Sequence, residues 1–143
     1  MSAKQEILLI NQQISAIEKS IFDLITKKTQ LTKDIKTAES QLSIAEDKLK
    51  EYKEQYKYLK SKDTTIVDIS VFNETKLAME YQEDIEQESK SNLFLLKKQL
   101  GQIEQLIIDF GLMKEYKLKE LNNNYGKIEE FKRRDKNVNS DRS

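Results

Sequence analysis

One stripe of apolar residues constrains this chain more than anything else in it. Ile7, Ile10, Ile14, Ile17, Ile21, Leu24, Lys28, Leu31, Ile35, Ala38, Leu42, Ala45, Leu49, Tyr52, Tyr56 and Leu59 follow one another in alternating steps of three and four. Every site except Lys28 is apolar or tyrosine. A mean spacing of 3.5 residues keeps such a stripe facing a partner helix, so it reads as a coiled-coil seam. The residues between are mostly Lys, Glu, Gln, Ser and Thr, as a solvated face requires. The spacing predicts a helix over about residues 4–61. A lone charged residue in a seam, here Lys28, sets register or partner choice at a cost in stability.

A second stripe follows. It runs through Val71, Glu74, Ala78, Tyr81 and Ile85, then Leu93, Leu96, Leu100, Ile103, Ile107 and Phe110, then Leu118, Leu121, Tyr125 and Ile128. Following its apolar residues gives two successive steps of four at Ile85–Ser89–Leu93 and again at Phe110–Lys114–Leu118. Each such step is a stutter that locally unwinds a supercoil. The reading is a helix over about 70–131, with 132–143 expected to be a disordered tail. Between the stripes, residues 62–69 read as a loop. The alternation in Ile66–Phe72 would suit a short strand, but a single strand has nothing to pair with. Asp68 or Ser70 would offer a side-chain oxygen to cap the second helix.

Two stripes of similar length with one break between them predict an all-α fold: two long helices forming an antiparallel coiled-coil hairpin. With a tip near residue 65, the numbers of facing residues add to about 130. Charge agrees with this register. Glu74, Glu80, Glu83, Asp84, Glu86 and Glu88 fall opposite a stretch holding Lys48, Lys50 and Lys53, with Lys57 and Lys60 beyond. Pairing between two chains is the other arrangement these stripes allow.

Composition narrows the chemistry. The chain has no Cys, His, Trp or Pro and only 3 Gly. Thiolate zinc sites, disulfides, imidazole ligands and a Ser-His-Asp triad are therefore excluded. Carboxylate pairs such as Glu46-Asp47, Glu83-Asp84 and Glu129-Glu130 lie on helices with no concave site to raise a pKa. No Gly-rich phosphate loop and no EF-hand pattern is present. We expect no catalytic residues, no metal and no cofactor, and a function exercised by contact. Lys+Arg and Asp+Glu both number 25, so nucleic acid is not an expected partner. The longest apolar runs, such as Ile7–Ile10 and Leu93–Leu96, are too short to enter a bilayer. No leader or lipidation signal is expected either.

The apolar content exceeds what a two-helix seam needs. Leu8, Leu9, Phe22 and Ile25 on the first helix fall outside the stripe. So do Phe94, Leu95, Leu106, Ile108, Leu112, Met113 and Tyr116 on the second. The half of the hairpin carrying the termini is the richer in these, which suits either a wide seam or a docking surface.

Three segments carry a family resemblance. The first helix closes on Tyr52-Lys-Glu-Gln-Tyr56-Lys-Tyr58-Leu59, and a polar break follows. The second opens with Leu77, Tyr81 and Ile85 at spacing four, and Met113-Lys-Glu-Tyr-Lys-Leu-Lys-Glu-Leu121 lies further on. This layout, clearest over about residues 45–125, resembles the FliJ/YscO group, small coiled-coil stalk proteins of the flagellar and type III secretion export machinery. The resemblance implies a cytoplasmic, non-enzymatic hairpin held at the inner membrane through the export apparatus. Its terminal end would insert into a hexameric export ATPase, with Leu8, Leu9, Phe22, Ile25, Leu106, Ile108 and Met113 facing the ring. The start of its second helix would contact the cytoplasmic domain of the export gate protein through Leu77, Tyr81, Asp84 and Glu88. Leu77 and Tyr81 keep the apolar character of that contact, whereas Asp84 and Glu88 depart from it toward acid. Some members of the family also bind export chaperones.

Two other readings fit the same stripes. A coiled-coil adaptor of another assembly needs no further feature. A prefoldin-like chaperone subunit would need one or two β-hairpins between its helices, and 64–72 lacks a hairpin turn such as Asn-Gly.

Overall fold

The computed structural model describes the backbone of residues 2–61 and 66–142, and the side chains of residues 2–61 and 69–134. Two helices account for it: α1 over Ala3–Lys60 and α2 over Ile66–Arg142. They pack against each other as a helical hairpin, and no strand occurs among the described residues.

Helix α1 begins with a reciprocal cap. The Gln5 backbone N–H donates to Ser2 Oγ at 3.2 Å, and the Ser2 N–H donates to Gln5 Oε1 at 3.0 Å. Two otherwise orphaned donors are thus satisfied by an S-x-x-Q box. At the other end the Ser61 N–H reaches the Lys57 carbonyl at 3.2 Å, and Ser61 Oγ donates to the Tyr58 carbonyl at 2.7 Å. Lys57 and Lys60 occupy the last turn, where the helix dipole favours cations.

Helix α2 is longer than its stripe suggests. It starts at Ile66, within the expected loop, so Ser70 lies inside the helix and does not cap it. The Asp68 side chain and residues 62–65 lie outside the described residues. The backbone also stays helical from 132 to Arg142, where the sequence reading expects disorder. No Pro interrupts this stretch and Gly126 is the last Gly. Arg134 Nη2 meets Glu130 Oε1 at 2.9 Å, an i,i+4 pair of the kind that supports an exposed helix.

The hairpin divides into two compact units, Thr29–Gly101 and Met1–Lys28 with Gln102–Ser143. In the Thr29–Gly101 unit, Leu31, Ile35, Ala38, Ala45 and Leu49 are buried on α1. Tyr56 stacks on Phe72 with ring centroids 4.9 Å apart. Gln82 Nε2 donates to the Ala45 carbonyl at 3.3 Å. In the other unit Ile10, Ile14 and Ile17 are buried. Every residue of the α1 stripe is at least half-buried, Lys28 included.

The α2 stripe differs from the one its apolar residues trace. In the Thr29–Gly101 unit, besides Ala78, Glu83 and Ile85, which are half-buried at its edges, the covered positions are Phe72, Thr75, Met79, Gln82, Glu86, Ser89, Leu93, Leu96 and Leu100. In the other unit, besides half-buried Gly111 and Glu120, they are Ile103, Ile107, Phe110, Lys114, Lys117, Leu121, Asn124 and Ile128. These alternate in steps of three and four without a break, so both expected stutters are absent. Val71, Tyr81, Leu118 and Tyr125, which the sequence places in the seam, are exposed. The physical reason lies in α1. Its own repeat is continuous, and a helix packed against it must present a continuous repeat in return. Polar side chains therefore enter the seam wherever the α2 apolar pattern slips by one residue.

Near the tip the acidic and Lys-rich stretches lie side by side, Lys53 lining a hollow with Glu83, Asp84 and Glu86, but among the described residues no close ion pair joins them. Among the described residues, Glu74, Glu80, Glu83, Asp84 and Glu88 have no cation within 4.0 Å. Lys28 with Glu104 and Lys114 with Glu18 pair across the helices, both in the unit of Met1–Lys28 with Gln102–Ser143.

Candidate functional site

The candidate site is a set of outward faces. No group of three or more Asp or Glu side chains among the described residues is placed to hold a metal. No helix is long and apolar enough to cross a membrane.

In the unit of Met1–Lys28 with Gln102–Ser143, two lysines in the seam define the geometry. Lys28 Nζ reaches out to Glu104 at 3.8 Å, and Lys114 Nζ reaches out to Glu18 at 3.4 Å. Each lysine leaves its own helix's seam for a glutamate flanking the seam of the other. Glu18 and Glu104 thus lie on the same side of the pair. Phe22 and Ile25 follow Glu18 by four and seven residues, and Ile108 and Gly111 follow Glu104 by the same steps. They share that side, as does Leu118 one heptad beyond Gly111. Both glutamates are paired within the chain, and Glu115, between Gly111 and Leu118, is an exposed acid on the same flank with no cation described within 4.0 Å. Phe22 is 69% exposed, and Ile25, Ile108 and Leu118 are exposed beside it.

The remaining residues expected to face the ATPase divide between two sides. Leu8 lies three residues before Asn11, the heptad equivalent of Glu18, and joins the Phe22 flank. Leu9 lines a hollow with Glu6, Ile10, Gln13, Lys117, Glu120 and Asn124 on the opposite flank. Leu106 and Met113, one heptad apart, precede Glu120 by two heptads and one, and so share the Leu9 flank. Both are exposed, as is Tyr116 three residues on. The structure therefore does not gather the seven into one patch. It makes two apolar flanks, one of Leu8, Phe22, Ile25 and Ile108 and one of Leu9, Leu106 and Met113. The sequence reading missed Leu118 on the first flank because it assigned that residue to the seam. Continuing the Leu93–Phe110 repeat along α2 would have put Lys117 and Asn124 in the seam and released Leu118 and Tyr125.

Asn124 is buried in that seam. Its Nδ2 donates to the Glu120 carbonyl at 3.1 Å, and its Oδ1 has no hydrogen-bond partner.

In the Thr29–Gly101 unit the residues expected to face the export gate do fall together. Leu77, Tyr81, Asp84 and Glu88 are spaced four, three and four apart along the side of α2 turned away from α1, and all four are exposed. Leu77 is 66% and Tyr81 69% exposed, whereas the adjacent Gln82 is only 6% exposed. Nearer the seam, Glu86 Oε1 is held by Lys90 Nζ at 2.7 Å. That hydrogen bond, followed by the Glu86 charge, raises the Lys90 pKa above its ordinary value, with Glu46 adding to the effect and slight desolvation opposing it.

The excess of apolar surface is less one-sided than expected. The Thr29–Gly101 unit also exposes Ile44, Tyr58, Phe94 and Leu95 besides the Leu77–Tyr81 pair. Comparison with protein-family models, with characterised proteins and with solved structures found no match for the chain.

Proposed function

We propose that this chain is a non-enzymatic, cytoplasmic stalk of a type III protein export apparatus, held at the inner membrane through its partners. Its terminal unit enters a hexameric export ATPase, and the Leu77–Glu88 face of α2 meets the cytoplasmic domain of the export gate protein. Export chaperones are further candidate partners for the exposed apolar residues.

The observation that carries this reading is the grouping of exposed apolar side chains on definite faces. Fully burying a Leu or Phe is worth about 1.5–3 kcal/mol. A hairpin that leaves Phe22, Ile108, Leu77 and Tyr81 in water forgoes that stabilisation, and a partner can recover it. The acidic side chains at Asp84 and Glu88 favour a second reading, a coiled-coil adaptor of another assembly, because they depart from the apolar gate contact of the resembled family.

Co-purification with a hexameric export ATPase tests the proposal. Leu9→Lys with Phe22→Lys places a cation on each terminal flank and should abolish ATPase capture with little loss of helicity. Tyr81→Lys should spare the ATPase and weaken capture of the gate protein. No ATPase capture by the unaltered chain would remove the stalk reading and leave the adaptor, and normal capture by the double variant with loss in Tyr81→Lys would reverse the orientation.

A further inference from the structure

We infer that the Leu77–Glu88 face of α2 is a docking surface for a basic amphipathic helix of a partner protein. The argument starts from what this segment does against its own interest. Tyr81 and Gln82 are neighbours, and the aromatic one is turned to water while the amide is buried against the Ala45 carbonyl. Thr75 is buried in the same seam while Leu77, two residues on, is exposed. Over this stretch α2 turns apolar side chains both ways, Phe72 and Met79 toward α1 and Leu77 and Tyr81 to water. A sequence under selection for the hairpin alone would place the apolar residues inward, and a local conflict of this kind marks a site shaped for another purpose.

The charges state what that purpose recognises. Around Leu77 and Tyr81, the exposed residues of α2 from 73 to 91 include Glu74, Glu80, Asp84 and Glu88 with Asn73, Gln87 and Ser91, against the two lysines Lys76 and Lys90, so the face is acidic in balance. Glu80 with Asp84 and Asp84 with Glu88 are like-charge i,i+4 pairs, which oppose an isolated helix. None of the four acids has a described cation within 4.0 Å, although the chain carries as many basic as acidic residues. An apolar pair one helical turn apart, rimmed by acids that outnumber the lysines near them, complements a helix with apolar anchors at spacing three or four and lysines or arginines beside them. Such a helix would cover Leu77 and Tyr81 and neutralise the rim together. The inference rests on the reading that this face binds protein, and it adds the chemistry of the partner.

The test uses the full chain and three synthetic peptides. One is an amphipathic helix with leucines on one face and lysines on the other. The second has the same composition in scrambled order, and the third has glutamate in place of lysine. The first should bind at least tenfold more tightly than either control, and its affinity should fall as salt rises. Leu77→Ala with Tyr81→Ala, and separately Asp84→Lys with Glu88→Lys, should each weaken it tenfold or more at unchanged helicity, while Phe22→Ala should not. Tyr81→Ala alone serves if either double variant unfolds. Absent binding, equal binding of the scrambled peptide, or indifference to the Leu77 and Tyr81 changes would overturn the inference. So would self-association of the chain that is lost in Tyr81→Ala, which would make a second copy the occupant. Failure to capture an export gate protein alongside normal peptide binding would remove the gate reading alone.

Discussion

Asn124 carries the sharpest local cost described in the hairpin. Its side chain is 7% exposed and one of its two polar atoms is unpaired. A buried acceptor without a donor costs about 1–3 kcal/mol. The hydrogen bond it does make, to a carbonyl of its own helix, returns little of that. Asn124→Leu should therefore raise stability by about 1–2 kcal/mol, because it removes the orphan oxygen and adds an apolar side chain to the seam. Thermal unfolding followed by far-UV circular dichroism checks this, and a lower melting temperature would mean that the amide is satisfied by something outside the described contacts. Gln82 is a different case. It is equally buried, but its amide donates to a backbone carbonyl of the opposite helix. A polar seam residue that bonds across the interface fixes which residues face one another, as a single buried Asn does in other coiled coils. Lys28 and Lys114 act in the same way at longer reach, each tying a seam position to a flanking glutamate. Both pairs are half-exposed, so each contributes at most about 1 kcal/mol and works more by excluding wrong registers than by stabilising the right one.

At the scale of the element, the two helices differ in how faithfully their sequences describe them. Every α1 position chosen by apolar spacing is covered, because that stripe never slips and its one polar member, Lys28, falls on the repeat. The α2 pattern was legible from Leu93 to Phe110 and again at Leu121 and Ile128, where apolar residues and repeat coincide, and Ala78 and Ile85 are also half-buried. It was misread at Val71, Tyr81, Leu118 and Tyr125, where apolar residues stand one place away from the repeat. No local rule shows that slip, because the decision is made by the opposite helix: a continuous α1 repeat overrides the apolar preference of α2. The same cause explains the candidate site. The outward Leu77–Glu88 line was assembled by resemblance and is reproduced as one face. The terminal residues were gathered as apolar residues in excess of the seam, and the structure divides them between two flanks. Glycine gives a test at this scale. Gly111 is helical, and a Cβ added there meets nothing within 4 Å. Gly111→Ala should stabilise α2 by about 0.5–1 kcal/mol through lost backbone freedom in the unfolded chain. An unchanged or lowered melting temperature would show that the position is not an open helical site.

For the molecule as a whole, the account turns on one claim: α2 faces α1 with an uninterrupted repeat, so polar side chains lie inside and apolar ones outside, available to partners. Both the proposed stalk function and the basic-helix docking surface depend on it. If the apolar stripe were the true seam, Tyr81 would be core and its exposed face would vanish. The native chain has no Cys, so single cysteines can report the register directly by their rates of thiol alkylation. The most telling positions are neighbours that exchange places between the two registers: Val71 against Phe72, Tyr81 against Gln82, and Tyr125 against Asn124. The account predicts fast labelling of Val71→Cys, Tyr81→Cys and Tyr125→Cys in the folded chain. Phe72→Cys, Gln82→Cys and Asn124→Cys should label at least tenfold more slowly, with all six equal in denaturant. Protection at 71, 81 and 125 with free labelling at 72, 82 and 124 would contradict the account and return Tyr81 to the core.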